Sequence, residues 1–159
     1  MAWIRTSPVA LVVAVGALAL GGCAPTPESA AASNDQQAVL AVTTAESAAG
    51  GRAFELDSDD GEWEVHVAAN DREVEVRTSA DGAGVTSSRD DDGLDAADRA
   101  ALEAATTTLA DAIRIAAGHA RGAAIEEARL ESDNATATWV VEVTGDRTVR
   151  VSAADGTVG

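Results

Sequence analysis

Apolar and polar positions change rhythm along this chain, and the changes mark the elements. In Trp63-Glu64-Val65-His66-Val67 the alternation is strict, so Trp63, Val65 and Val67 share one face and Glu64 and His66 the other, as a half-buried strand requires. Before it stand another strand, Arg52-Ala53-Phe54-Glu55-Leu56, and an acidic turn, Asp57-Ser58-Asp59-Asp60-Gly61. After it Asn70-Asp71 turns the chain into Val74-Glu75-Val76-Arg77, and Asp81-Gly82 closes the unit. Upstream, Gln37 to Ala49 reads as a weak helix ended by Gly50-Gly51, weak because its Val and Thr residues lose rotamer freedom in a helix.

The same order returns further on. Thr108 with Asp111 resembles a capping box, and Leu109, Ala112, Ile113 and Ala116 form a helical stripe with Gly118 as its expected stop. A strand around Ile125 to Leu130 follows, then a turn at Asp133-Asn134, and then the strand Trp139-Val140-Val141-Glu142-Val143. Gly145-Asp146 turns into Val149-Arg150-Val151, and Asp155-Gly156 ends this unit. Trp63 to Val67 thus matches Trp139 to Val143, Val74-Glu-Val76 matches Val149-Arg-Val151, and Ala80-Asp81-Gly82 matches Ala154-Asp155-Gly156. The order is that of an internal repeat. Between the copies lies an acidic linker, followed by a helix for which Asp95 is the expected N-cap; whether that helix continues into the next is left open by Thr106-Thr107-Thr108.

The start of the chain is an address. Arg5 precedes an apolar run from Val9 to Leu20, of the length of a signal peptide and too short to span a bilayer before Gly21, Gly22, Cys23 and Pro25 intervene. Leu20-Gly21-Gly22-Cys23 resembles a bacterial lipobox, which implies cleavage before Cys23 and diacylglycerol on its thiol. Cys23 is the only cysteine, so no disulfide partner exists for it within the chain. Ala24 to Gln36, rich in Ala, Ser and Pro, is expected to be a flexible tether.

The repeated order gives two small tandem repeats of α+β class. The expected boundaries are a lipoprotein signal peptide at 1–22, a tether at 23–36, a first repeat at 37–86, an acidic linker at 87–95, and a helix plus second repeat at 96–159. Units near 50 residues bury too little surface to be stable alone, and a small sheet needs cover on its apolar face, so paired copies are physically reasonable.

Composition narrows the partners. The chain has 159 residues, with 27 acidic against 11 basic, and every basic residue is Arg. Losing the leader removes Arg5 and no acid. Such a charge excludes nucleic acid as a partner, since phosphates demand cations. It also holds the folded part off an anionic lipid surface, leaving the lipid on Cys23 as the contact with the membrane. Aromatics are scarce, and Trp63 and Trp139 are expected to anchor cores.

In both copies the helix ending at glycine, the first strand, the Trp-x-Val-x-Val strand, the Val-x-Val strand and the closing Ala-Asp-Gly resemble the PepSY domain (peptidase propeptide and YpeB). The resemblance spans about Gln37 to Val85 and about Leu109 to Val158, with Ser152 in place of the usual Asp in the closing motif of the second copy. It implies that each repeat is a helix packed on a short antiparallel β-sheet. It also implies a non-catalytic module on the outer face of the membrane that binds a secreted peptidase or another cell-surface protein and modulates, by inhibition, the activity of such a peptidase in trans. An open sheet edge at Val74–Arg77 or Val149–Val151 would offer a pairing surface.

Catalytic chemistry finds little support. A nucleophile needs a base oriented beside it, and the lone Cys23 sits at the anchor. His66 on a polar strand face and His119 in a helix-terminal loop are too isolated to suggest zinc, so neither a metal nor a cofactor is expected. Asp57 to Gly61 begins like an EF-hand loop but places glycine one position early, and Asp90-Asp91-Asp92-Gly93 fails similarly. Asn134-Ala135-Thr136 fits a glycosylation sequon that a bacterial lipoprotein gives no reason to use. The competing function is an extracellular hydrolase with a site made of carboxylates, or a calcium-binding surface protein.

Overall fold

The computed structural model describes residues 27–91, 93–133 and 136–159. Cys23, its lipobox, the leader and Asn134 of the sequon lie outside the described residues. Ten elements follow in order: α1 (Pro27–Ala49), β1 (Arg52–Asp59), β2 (Glu62–Ala69), β3 (Arg72–Thr78), β4 (Val85–Asp91), α2 (Ala96–Ala104), α3 (Leu109–Ala120), β5 (Ile125–Asp133), β6 (Thr136–Val143) and β7 (Arg147–Ser152). The strands form a single seven-stranded antiparallel sheet in the order β4-β3-β2-β1-β5-β6-β7.

Local chemistry explains most of the element ends. The two hairpin turns after β1 and after β2 put Asp60, Gly61 and Asn70 at positive φ, where Gly, Asn and Asp are tolerated best. Asp95 caps α2 by accepting from the backbone N–H groups of Ala97 and Asp98 at 2.8 and 2.9 Å. Thr108 caps α3 by accepting from the N–H of Asp111 at 3.1 Å. The two helices are separate, because Ala105 is extended and the N–H groups of Thr106 and Thr107 both turn to the carbonyl of Ala153.

Helices α1 and α3 lie on one face of the sheet and touch each other, α1 over β1, β2 and β3 and α3 over β5, β6 and β7. Ala38, Ala41, Val42 and Ala45 form the buried stripe of α1, and Leu109, Ala112, Ile113 and Ala116 that of α3. Below them are Leu56, Trp63, Val65, Val67, Ala128, Trp139, Val141 and Val143, so the expected core faces are the observed ones. The buried indoles keep their N–H groups satisfied, Trp63 on the Ala80 carbonyl at 3.1 Å and Trp139 on the Thr107 carbonyl at 2.9 Å. Helix α2 packs beside β5 and β6, and the Arg52 guanidinium donates to the carbonyls of Leu102 and Ala105 at its C-terminus (2.6 and 3.1 Å).

Several expectations need correction. Helix α1 begins at Pro27, so much of the expected tether is helical: Pro suits the first helical turn, and the alanines after it are strong helix formers. Asn34 also fastens this stretch, its Oδ1 accepting from the Ile125 N–H at 2.7 Å. Residues 87–91 of the expected linker belong to β4, whose side chains are all exposed. With nothing buried, no alternation could announce that strand; it exists by main-chain pairing to β3. Gly118 lies inside α3, which runs on to Ala120 and ends on left-handed Arg121 (φ 51°), so His119 sits in its last turn and not in a loop. Strand pairing also shifts the match between the halves. Val65 faces Val76 while Val141 faces Val149, so Val149 corresponds to Val76 and not to Val74. The β2–β3 hairpin is longer by one two-residue step, and a shift of two keeps every side chain on its face, so the pattern alone did not reveal it.

One contact seats α1. Gly82 (φ +75°) lies so near the helix that a Cβ there would stand 2.4 Å from the Gln37 carbonyl oxygen, and its own carbonyl accepts from Thr44 Oγ1 at 2.8 Å. Gly61 has equally left-handed backbone (φ +81°) with open space around it. Gly61→Ala is therefore expected to cost about 1 kcal/mol in urea unfolding. Gly82→Ala should cost clearly more, because it adds a main-chain clash to the same conformational penalty.

Candidate functional site

The face of the sheet opposite α1 and α3 carries the charge. Pairing register aligns one row across all seven strands: Arg89, Glu75, His66, Glu55, Arg129, Val140 and Arg150. The adjacent row runs Ser87, Arg77, Glu64, Asp57, Glu127, Glu142 and Thr148, with one arginine among four carboxylates. Opposite charges on neighbouring strands stabilise such a surface and like charges facing each other weaken it.

Arginines knit the face in two clusters. Arg77 reaches Glu64, Asp59 and Glu75, and Arg89 also reaches Glu75, whose side chain is only 3% exposed. Arg129 bridges Glu127, Glu131 and Glu142, and Arg150 adds a contact to Glu131 at 3.2 Å. The surrounding carboxylates, led by hydrogen bonds from Arg77 to Asp59 and from Arg129 to Glu127, hold both guanidinium groups even more firmly protonated than usual.

His66 sits at the centre of the first cluster. Its Nδ1 is 2.6 Å from Glu73 Oε1 and 3.8 Å from Asp91 Oδ2, and its Nε2 is 3.3 Å from Glu64 Oε1. The Phe54 ring stands on another side, 6.0 Å between centroids. Burial opposes the imidazolium, yet the hydrogen bonds to Glu73 and Glu64 and the charge of Glu55 outweigh it, so the His66 pKa lies above its ordinary 6.5. Burial raises that of Glu55, with His66 acting against the rise. Asp81 and Asp155, in turns that follow β3 and β7, are held below the usual carboxylate range, Asp81 chiefly by the Ser79 hydroxyl and Asp155 chiefly by the Thr157 N–H.

His119 takes no part, its Nδ1 lying 2.9 Å from the Ile115 carbonyl. The acidic run at 57–61 forms the end of β1 and a hairpin turn. Val74–Arg77 is not an open edge, since β3 pairs with β2 on one side and β4 on the other. The edge on that side is β4. Strand β7 is the opposite edge, and its outer side is partly taken by the tail: the Ser152 N–H donates to the Thr157 carbonyl at 2.8 Å and the Gly159 N–H to the Arg150 carbonyl at 3.2 Å. An alanine-lined groove of about 780 Å³ also opens between α2 and the ends of β5 to β7, bounded by Ala97, Ala101, Ala104, Ser132, Ala137 and Ala153.

Sequence reasoning placed His66 beside Glu64 but missed Glu73 and Asp91. The first was within reach: a two-residue turn at Asn70-Asp71 fixes the register, setting Glu75 directly opposite His66 and Glu73 on the diagonal beside it. Asp91 was not, because β4 gives no signal.

Residues 107–158 match the family described as peptidase propeptide and YPEB domain (PepSY). The chain therefore carries a PepSY domain there, made of α3 and β5 to β7. A crystal structure of a candidate lipoprotein from Clostridium difficile 630 is similar at 18% sequence identity and a TM-score of 0.45, over 75% of this chain and 87% of that one. No curated protein matches the sequence. Among the described residues no helix is long and apolar enough to cross a membrane.

Glu75 and Glu131 make ion pairs of opposite kinds on this face. Glu75→Ala should destabilise by about 2–3 kcal/mol in urea unfolding, because it leaves Arg77 and Arg89 converging on a buried vacancy. Glu131→Ala, where the pairs are solvated, should cost less than about 1 kcal/mol.

Proposed function

We propose that this protein is a non-catalytic binding module, held to the outer face of a membrane by lipid on Cys23, that binds and restrains a secreted peptidase. The observation that carries this reading is the PepSY match at 107–158, a family whose description names peptidase propeptides. The Leu20 to Cys23 lipobox supports the anchor, and the helical start of α1 at Pro27 would leave only a few residues between lipid and fold.

A finer reading makes residues 37–86 a second copy of the same unit. Three features support it. Each half is a helix over an antiparallel sheet; the first strands carry a bulge at corresponding places, Ala53/Glu55 and Ile125/Glu127; and these strands meet through Glu55–Arg129, Leu56–Ala128 and Asp57–Glu127, a pairing that reads the same when the halves are exchanged. The uncovered face, acidic and bound together by arginine, suits a basic surface on the partner. His66 is held by carboxylates and His119 lies against a main-chain carbonyl.

Two measurements test this. In cells, the native protein should fractionate with membranes and carry an acyl mass on Cys23, and Cys23→Ser should lose both; equal retention of the variant would contradict the anchor. Purified protein added to the peptidases secreted by its own host should lower their turnover of casein by a saturable amount. Unchanged turnover, with no peptidase bound, would contradict the regulatory role.

A further inference from the structure

We propose that His66 Nδ1, Glu73 and Asp91 form a binding site for a divalent first-row transition metal, with Zn²⁺ as the ion to test. The three residues come from β2, β3 and β4, and their donor atoms all lie within 4.8 Å of one another. Zinc bonds of about 2.1 Å in tetrahedral geometry place donor atoms roughly 3.4 Å apart. The observed separations of 2.6 Å (His66 Nδ1 to Glu73) and 3.8 Å (His66 Nδ1 to Asp91) straddle that value, so small side-chain rotations suffice. Three protein donors leave a fourth position for water.

The surroundings fit a metal-bound histidine. Such a ring usually has its other nitrogen held by a carboxylate, which fixes the ring and makes the ligating nitrogen more basic. Glu64 occupies that place on Nε2 at 3.3 Å and is itself held by Arg77. Glu73 and Asp91 are directly opposed on neighbouring strands, an arrangement of like charges that a cation between them relieves. The metal takes the place of the proton on Nδ1. One imidazole with two carboxylates favours a transition ion, whereas calcium and magnesium take oxygen donors. The alternative triple of Glu64, His66 and Glu75 is less suited, because Arg77 and Arg89 already neutralise both of its carboxylates. Solvent reaches Glu73 through a cavity of about 360 Å³ bounded by Phe54, Glu55, Leu94 and Asp95. The proposal is independent of peptidase binding.

The test is calorimetric titration of Zn²⁺ into the full-length chain in detergent, in a Cys23→Ser background so that the chain's single thiol does not contribute. One saturable equivalent is expected. His66→Gln should abolish it, Glu64→Gln should weaken it about 10–100-fold, and His119→Gln should leave it unchanged. Absence of a saturable site, or undiminished binding in His66→Gln, would overturn the proposal. Circular dichroism without metal checks the fold of each variant. Should His66→Gln not fold, Asp91→Asn on the exposed edge strand decides: weakened binding supports the site, and unaltered binding overturns it.

Discussion

Three residue pairs join everything else. Where Glu55, Leu56 and Asp57 of β1 meet Arg129, Ala128 and Glu127 of β5, two sets of strands become one sheet. The junction is short, but its middle pair, Leu56 and Ala128, lies fully buried under the helices. Without it each set would expose an open edge and cover its apolar face with a single helix, a state that small sheets sustain poorly. With it, α1 and α3 pack against each other as well as against the sheet, and one continuous core forms.

That arrangement determines where function can reside. A sheet covered on one face buries every second side chain and presents the rest together. Here the presented residues are mostly carboxylates and arginines, with one histidine, drawn from strands distant in sequence and brought into rows by register. The strong negative charge read from composition thus becomes a patterned surface. The alanine-lined groove beside α2 is its chemical opposite.

Legibility in the sequence followed burial. The Trp-led strands, the Val-x-Val strands, the caps at Asp95 and Thr108 and the stripe of α3 were readable because each puts a periodic or stereochemical requirement on residue type. Strand β4 was not, since Val85 to Asp91 buries nothing and is held by main-chain bonds and by ion pairs such as Arg72–Asp90 at 2.6 Å. Its charged side chains are what protect an exposed edge from unwanted pairing, so the feature that hid the strand also has a physical use. The start of α1 was obscured because alanine suits both a helix and a loose tether. His66 looked isolated in sequence, and only the hairpin register and the unforeseen strand surrounded it with acids.

The most direct test of this account is urea unfolding followed by tryptophan fluorescence in two chains, one retaining only Trp63 and the other only Trp139, with the remaining tryptophans changed to Phe. If the β1–β5 junction makes both parts of the sheet one cooperative unit, each unfolding curve will coincide with that chain's circular-dichroism transition. A fluorescence midpoint separated from the circular-dichroism transition in either chain would show that the parts unfold independently and contradict the account.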